Sequence, residues 1–301
     1  MSKVLTPASL THHHLALAVE AEAVGRKPHD GVWKVLDAGC GGGALTGYLH
    51  QMLNRGKLRK PHATRWDIFG FDISDYKEQG DRSLHSTAAH LHDVDGSVSW
   101  QHRLSLVPQD QAWPYPDATF DVVVSNQVLE HVKDLEHFLH ELRRVLVPGG
   151  VSVHLFPLSS ALWEGHLLMP LAAQCSGHEQ RLAWIRSMHR LRVGKVRHRE
   201  RGEWGARYAT EYVHLQTHYR SWRQFVVSSK RAGLLASYRY TPELYTMKVR
   251  QMLTGGLPER FSSQRRPIVD AVALQLTRWV GPIALVLSRP EGLRMGCSSS
   301  H

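Results

Sequence analysis

The chain has 301 residues, 42% of them hydrophobic, which suffices for one large or two small cored domains and excludes both a disulfide-stapled miniprotein and wholesale disorder. Thirty-seven Lys and Arg against 27 Asp and Glu give +10 before any of the 21 histidines protonates. That charge favours anionic partners, among them nucleic acid, nucleotide-linked small molecules and an anionic membrane face. Three cysteines without C-x-x-C spacing (Cys40, Cys175, Cys297) argue against a disulfide framework or zinc ribbon and for a cytoplasmic setting. The opening MSKVLTPASLTHHHL has no signal-peptide pattern. The most apolar late stretch, Ile268 to Leu287, is interrupted by Asp270, Gln275, Arg278, Gly281 and Pro282, so no spanning helix is predicted. Peripheral membrane association stays open.

Thr11 to Val24 is rich in helix formers and reads as a leading helix. Val32 to Leu36 reads as a buried strand, Asp37 to Gly43 as a glycine turn, and Ala44 to Leu53 as a helix with Leu45, Leu49 and Leu53 four residues apart. Strand, turn and helix form the opening half of a βαβ unit. Trp66 to Phe71 is the second strand, ending at Asp72. The Asp75 and Glu78 spacing of a capping box starts the next helix. A third strand falls within Val98 to Val107, and Phe120 to Ser125 is a fourth, of the buried parallel type. Asp134 to Val147 has the amphipathic helical period, Pro148-Gly149-Gly150 ends it, and Val151 to Phe156 is a fifth strand.

After Pro157 the alternation stops for about sixty residues. It resumes with a helix over Ser221 to Leu234, a strand around Ala236 to Tyr240, helices over Leu244 to Leu253 and Ile268 to Val280, and a strand over Ile283 to Pro290. The pattern predicts a doubly wound, Rossmann-like α/β fold with a seven-stranded, mostly parallel sheet and helical cap insertions. The expected organisation is an N-terminal helix in 1–30, a cofactor-binding core in 31–156, a substrate cap in 157–216, and core again in 217–243. A helical insertion in 244–282, the last core strand in 283–290 and a loose tail in 291–301 follow.

Gly39, Gly41 and Ala44 satisfy G-x-G-x-x-[GA], which admits a nicotinamide-dinucleotide reading. That reading expects an acidic residue about 20 residues on, whereas Asp72 lies about 28 residues after Ala44. The glycines alone do not decide. Four ordered motifs do: Asp37-Ala38-Gly39-Cys40-Gly41-Gly42-Gly43, Trp113-Pro114-Tyr115 running to Phe120-Asp121, Leu129-Glu130-His131-Val132, and Arg144-Val145-Leu146-Val147-Pro148-Gly149-Gly150. Together they resemble the class I S-adenosylmethionine-dependent methyltransferases, and most closely the ubiquinone-biosynthesis-like type 11 branch. The resemblance covers Val32 to about Phe156.

The resemblance implies S-adenosyl-L-methionine as cofactor. That molecule carries no phosphate, so the glycines would serve for close backbone approach and not as an anion cradle. It implies that Asp37 orients the cofactor's ammonium end, that Gly39, Cys40, Gly41 and Gly43 form the surrounding turn, and that Asp72, followed by Ile73, accepts from the ribose hydroxyls. Asp110, with Gln111, is the expected adenine-end acid, with Gln109 at the neighbouring position. Asn126 stands where strand four opens the ligand crevice. Asp121 is expected to support a turn.

The candidate catalytic residues are His131 just after strand four, His154 near the end of strand five, and the Glu164 and His166 pair beyond it. A hydroxyl acceptor needs a base within reach. In some relatives the Glu130-His131 pair neighbours the acceptor, on occasion with a metal, yet no complete ligand spacing is visible here and no metal is expected. His12 to His14, His137 and His140 read as surface residues. Between 181 and 210 nine Arg and Lys oppose only Glu200 and Glu203, which points to an anionic acceptor gripped by guanidinium groups. The expected reaction is O-methylation of a small or glycan-like anionic acceptor. An RNA methyltransferase and a catalytically inactive partner or regulator are the alternatives.

Overall fold

The computed structural model describes residues 9–54, 65–73, 84–175, 177–194, 202–261 and 267–291. The Asp75 to Glu78 capping box, Lys195, Arg197, Arg199, Arg201 and the 292–301 tail lie outside the described residues.

The core alternates as the pattern predicts: α1 (Leu10–Ala23), β1 (Trp33–Ala38), α2 (Ala44–Asn54), β2 (Trp66–Ile73), α3 (Leu84–Val94), β3 (Leu104–Val107), β4 (Phe120–Asn126), α4 (Leu135–Val145) and β5 (Leu146–Pro157). Then come the two-residue strands β6 (Trp163–Glu164) and β7 (Met169–Pro170), followed by α5 (His178–Arg190), α6 (Glu203–Gln216), α7 (Trp222–Arg231), β8 (Leu235–Ser237), α8 (Thr241–Thr254), α9 (Pro267–Val280) and β9 (Pro282–Ser288). The main sheet has seven strands in the order β3-β2-β1-β4-β5-β9-β8. Pairing is parallel from β3 through β5, and β9 runs antiparallel to both β5 and β8. The order reverses between β1 and β4, which opens a crevice at their carboxyl ends.

Strands β1, β4 and β9 are buried almost throughout because helices cover both faces of the sheet. One core layer joins α1, α2 and α8 to the sheet through Leu15, Leu49 and Leu244, and the opposite layer joins α4 and α7 through Leu139, Leu142 and Phe225. Asp121, at the amino end of β4, accepts from the backbone N–H groups of His29 and Lys34 (both 2.9 Å) and so closes the turn before β1. Arg144 donates to Glu141, to Asp117 and to the carbonyls of Trp113 and Tyr115, while Glu141 accepts from Trp113 N–H (2.6 Å). Two of the four sequence motifs are thereby locked together.

Three features depart from expectation. Pro148-Gly149-Gly150 does not end α4, which stops at Val145: it lies inside β5 as a bulge, where the pairing register to β4 shifts between Phe120 and Val122. The sixty residues in which no element was assigned contain α5 and α6, which pack Leu182, Ile185 and Met188 against Ala206 and Ala209 in a small core of their own. His12, His13 and His14 are buried, not exposed. His13 bridges the Tyr48 hydroxyl and the Pro258 carbonyl (2.7 Å each), and His14 Nε2 reaches the Tyr240 carbonyl (2.8 Å), so the rings tie α1 to its neighbours. Among the described residues no helix is long and apolar enough to cross a membrane.

Candidate functional site

The glycine turn after β1 is built on backbone conformations that side chains resist. Gly39, Gly41 and Gly43 have φ of +80°, +52° and +76°. A Cβ on Gly39 would come within 2.5 Å of Val128 Cγ2, so the turn also needs the space. Its N–H groups are fastened to β2: Gly39 and Cys40 donate to the Phe71 carbonyl (2.9 and 3.0 Å), and Gly41 donates to Asp72 Oδ2 (2.6 Å). Asp72 Oδ1 accepts from Ile73 N–H (2.7 Å).

This turn walls one side of a cavity of about 310 Å³ at the carboxyl ends of β1 and β4, within the size range of small-molecule sites. Gly39, Gly41, Asp72, Ile73, Gln109 and Trp113 line one part of it, and Asn126, Gln127, Val128, His131, His137, Phe138 and Tyr212 line the rest. Gln127 holds φ of +57°, a left-handed conformation for a side-chain-bearing residue at the crevice mouth, with its N–H bonded to the Leu155 carbonyl (2.7 Å).

Behind His131 lies a polar cluster drawn from separate segments. His131 Nδ1 is 2.6 Å from the Gln216 carbonyl at the end of α6, and His131 Nε2 is 3.1 Å from His166 Nε2. His166 Nδ1 is 2.7 Å from Glu164 Oε1, an oxygen that also accepts from the Tyr219 hydroxyl (2.5 Å). Leu167 N–H donates to Glu164 Oε2 (2.6 Å). Glu130 is 1% exposed, and neither carboxylate oxygen has a hydrogen-bond partner. Burial raises the Glu130 pKa to about 8 and lowers that of His131. Burial acts on Glu164 too, but the hydrogen bonds from His166 and Tyr219 outweigh it and hold the carboxyl below its ordinary value. One ligand-type atom each from Glu130, His131 and His166 lie within 4.8 Å of one another.

Residues 11–218 match the family described as Methyltransferase domain, which is more than half of the chain. The chain belongs to the class I S-adenosylmethionine-dependent methyltransferases. It is 32% identical over 120 residues to a ubiquinone biosynthesis O-methyltransferase of Psychrobacter cryohalolentis, covering 40% of this chain and 39% of that protein. It is also 32% identical over 117 residues to a 27-O-demethylrifamycin SV methyltransferase of Amycolatopsis mediterranei, covering 39% of this chain and 36% of the relative. The match thus spans well under half the length of these curated relatives. Among solved structures, an S-adenosylmethionine dependent methyltransferase from Mesorhizobium loti superposes with a TM-score of 0.47 at 13% identity, over 93% of this chain and all of that one.

Against this methyltransferase frame the sequence-selected residues fall into three groups. Gly39, Gly41, Asp72, Ile73, Asn126 and His131 line the cavity, and Glu164 and His166 stand directly behind His131. Asp37, Cys40 and Gly43 lie under the turn, outside the lining. Asp37 is buried, accepts from the Thr46 hydroxyl (2.8 Å), and has its pKa raised to about 7 by burial. Gly43 packs on Leu91 and Thr87, and Cys40 beside Gly70. The third group stands apart. His154 is fully buried with Nδ1 2.7 Å from the Ser125 hydroxyl, while Asp110 and Gln111 are exposed where neighbouring Gln109 meets the cavity.

His137, read as a surface residue, is half-buried on the cavity wall. Tyr212 and Tyr219 were not singled out from the sequence. For Tyr212 a signal existed in the Trp204, Tyr208, Tyr212 spacing, one aromatic per helical turn of α6. Of the described arginines in the basic run, Arg181 donates to the Ala172 and Cys175 carbonyls, and Arg186 and Arg207 both pair with Glu203. Arg190 and Arg192 are exposed.

Proposed function

We propose that this protein transfers the methyl group of S-adenosylmethionine to a hydroxyl oxygen of a small or glycan-like acceptor that carries an anionic group. The observation that carries the reading is a single cavity with the Asp72-held glycine turn on one wall and His131 on another. The cofactor occupies the turn side. Asp72, on the cavity wall, accepts from the ribose hydroxyls, and Asp37 answers the ammonium group from beneath the turn. The acceptor occupies the His131 side.

Methyl transfer is an in-line displacement. The acceptor oxygen forms the new C–O bond as the sulfonium C–S bond breaks, and the electron pair goes to sulfur. The acceptor's proton is lost to the cluster of Glu130, His131, Glu164 and His166. Alignment of the two substrates in the cavity supplies most of the acceleration, and removal of that proton supplies the rest. Segment 157–216 serves as the cap over the acceptor, with 217–243 and 283–290 as core continuation and 244–282 as a helical insertion. The basic run at 190–201 takes the anionic group.

The test is methyl transfer measured by mass spectrometry across hydroxyl acceptors with and without sulfate, phosphate or carboxylate groups, with RNA included. Transfer to an anionic hydroxyl compound, reduced at least about a hundredfold in kcat by His131→Ala with unchanged affinity for S-adenosylhomocysteine, supports the reading. Transfer to RNA alone, or to amines alone, overturns it.

A further inference from the structure

The hydrogen-bond pattern behind His131 sets the tautomers of both imidazoles. His131 Nδ1 faces the Gln216 carbonyl at 2.6 Å and His166 Nδ1 faces Glu164 Oε1 at 2.7 Å. A carbonyl and a carboxylate oxygen only accept, so each Nδ1 carries the hydrogen. The Tyr219 hydroxyl does not change this, because it donates its own hydrogen to Glu164 (2.5 Å) and can only accept from His166. Both neutral rings then turn an Nε2 lone pair toward the other, 3.1 Å apart. Two lone pairs at that distance repel unless a positive centre lies between them. Two nitrogens bound to one zinc ion at about 2.0–2.1 Å in tetrahedral geometry lie roughly 3.3 Å apart, so the separation suits a shared cation. A carboxylate or carbonyl behind Nδ1 is also the usual arrangement that orients an imidazole for metal binding.

Glu130 supplies the negative charge. Its side chain is 1% exposed, and both carboxylate oxygens lack a hydrogen-bond partner, an arrangement a buried carboxylate holds in its charged form only beside a counter-charge. We propose that Glu130, His131 and His166 bind one divalent cation of the zinc class, with Glu164 and Gln216 orienting the two rings. Two imidazoles and one carboxylate favour such a metal over magnesium or calcium. Glu130 and His131 belong to a shared motif, whereas His166, Glu164 and Tyr219 come from the segment beyond β5 and complete the set in this chain. His131 also lines the cavity, so an acceptor hydroxyl can reach the ion from that side. The ion's role rests on the proposed methyl transfer: bound there, it would lower the pKa of the acceptor hydroxyl, whose proton would pass to the Glu130 carboxylate oxygen not bound to the ion as the acceptor oxygen takes the methyl group. Binding of the ion does not depend on that reading.

The experiment titrates chelator-stripped full-length protein with zinc chloride, and separately with cobalt chloride followed by visible absorption. Titration with S-adenosylhomocysteine runs in parallel. The expected result is one ion per chain, with affinity weakened at least tenfold by His166→Asn and by the near-isosteric Glu130→Gln. His140→Asn, on the exposed face of α4, should leave it unchanged, and all variants should hold S-adenosylhomocysteine within about threefold. Binding that survives Glu130→Gln and His166→Asn belongs to other histidines and overturns the proposal, as does absence of stoichiometric binding. If S-adenosylhomocysteine still binds in those cases, the methyltransferase reading stands without the metal. If it does not bind even to the wild-type protein, that reading fails by itself.

Discussion

Asp72 accepts from its own chain through both carboxylate oxygens, from Gly41 N–H and from Ile73 N–H. It therefore shapes the glycine turn as well as facing the cavity, and Asp72→Ala removes both contributions. Two charge-assisted hydrogen bonds to ribose are worth about 3 kcal/mol or more together, so S-adenosylhomocysteine affinity should fall at least about a hundredfold by calorimetry. Tight binding by the variant would show that the ribose sits elsewhere. A second residue-scale consequence concerns pH. His14 and His154 are fully buried, and burial lowers their pKa values to about 4 and about 3 from 6.5. Below pH 6.5 the unfolded chain takes up protons that the folded chain refuses. Stability is therefore fully present above pH 6.5 and is lost as pH falls toward 4, by about 1.4 kcal/mol per unit for each ring. Denaturant titrations at pH 7 and pH 5.5 should show this fall, and His154→Gln should flatten it. An unchanged slope in that variant would contradict the assignment.

At the scale of elements, the glycine turn and the segment after β5 behave oppositely. Gly39 combines φ of +80° with a Cβ position 2.5 Å from Val128, whereas a Cβ on Gly42 would meet no atom within 4 Å. Gly39→Ala should therefore lower the melting temperature by several degrees and abolish cofactor binding, and Gly42→Ala should do neither. Equal tolerance of both would contradict the turn geometry. The turn was legible from sequence because its requirement is local: a run of glycines between a buried strand and a leucine-spaced helix. Helices α5 and α6 were not. Arginines crowd α5, and its apolar positions Leu182, Ile185 and Met188 pack against α6 and not against the sheet, so the period is weak without its partner. The His12 to His14 run misled for a related reason, since partners for those rings come from Tyr48, Tyr240 and Pro258, far along the chain. Likewise Glu164 and His166 could be named from their place after β5, but their meeting with His131 across 35 residues depends on the path of the chain between them.

For the whole molecule, the sheet order places the reversal between β1 and β4, and the four sequence motifs gather around it. The first forms the turn, and the second is held to the fourth by Glu141 and Arg144. The third carries Glu130 and His131 to the far wall of the cavity. Arg144→Ala should free the Trp113 to Asp117 loop, and because Trp113 lines the cavity, cofactor affinity should drop about tenfold or more with the fold retained. Unchanged affinity would mean that this loop does not meet the cofactor. The cavity is shaped for S-adenosylmethionine and not for a dinucleotide. Calorimetric titration of the wild-type protein with S-adenosylhomocysteine, and separately with NAD, tests it most directly. Stoichiometric binding of the first with no heat from the second is the expected result; binding of NAD with none of S-adenosylhomocysteine would contradict the account.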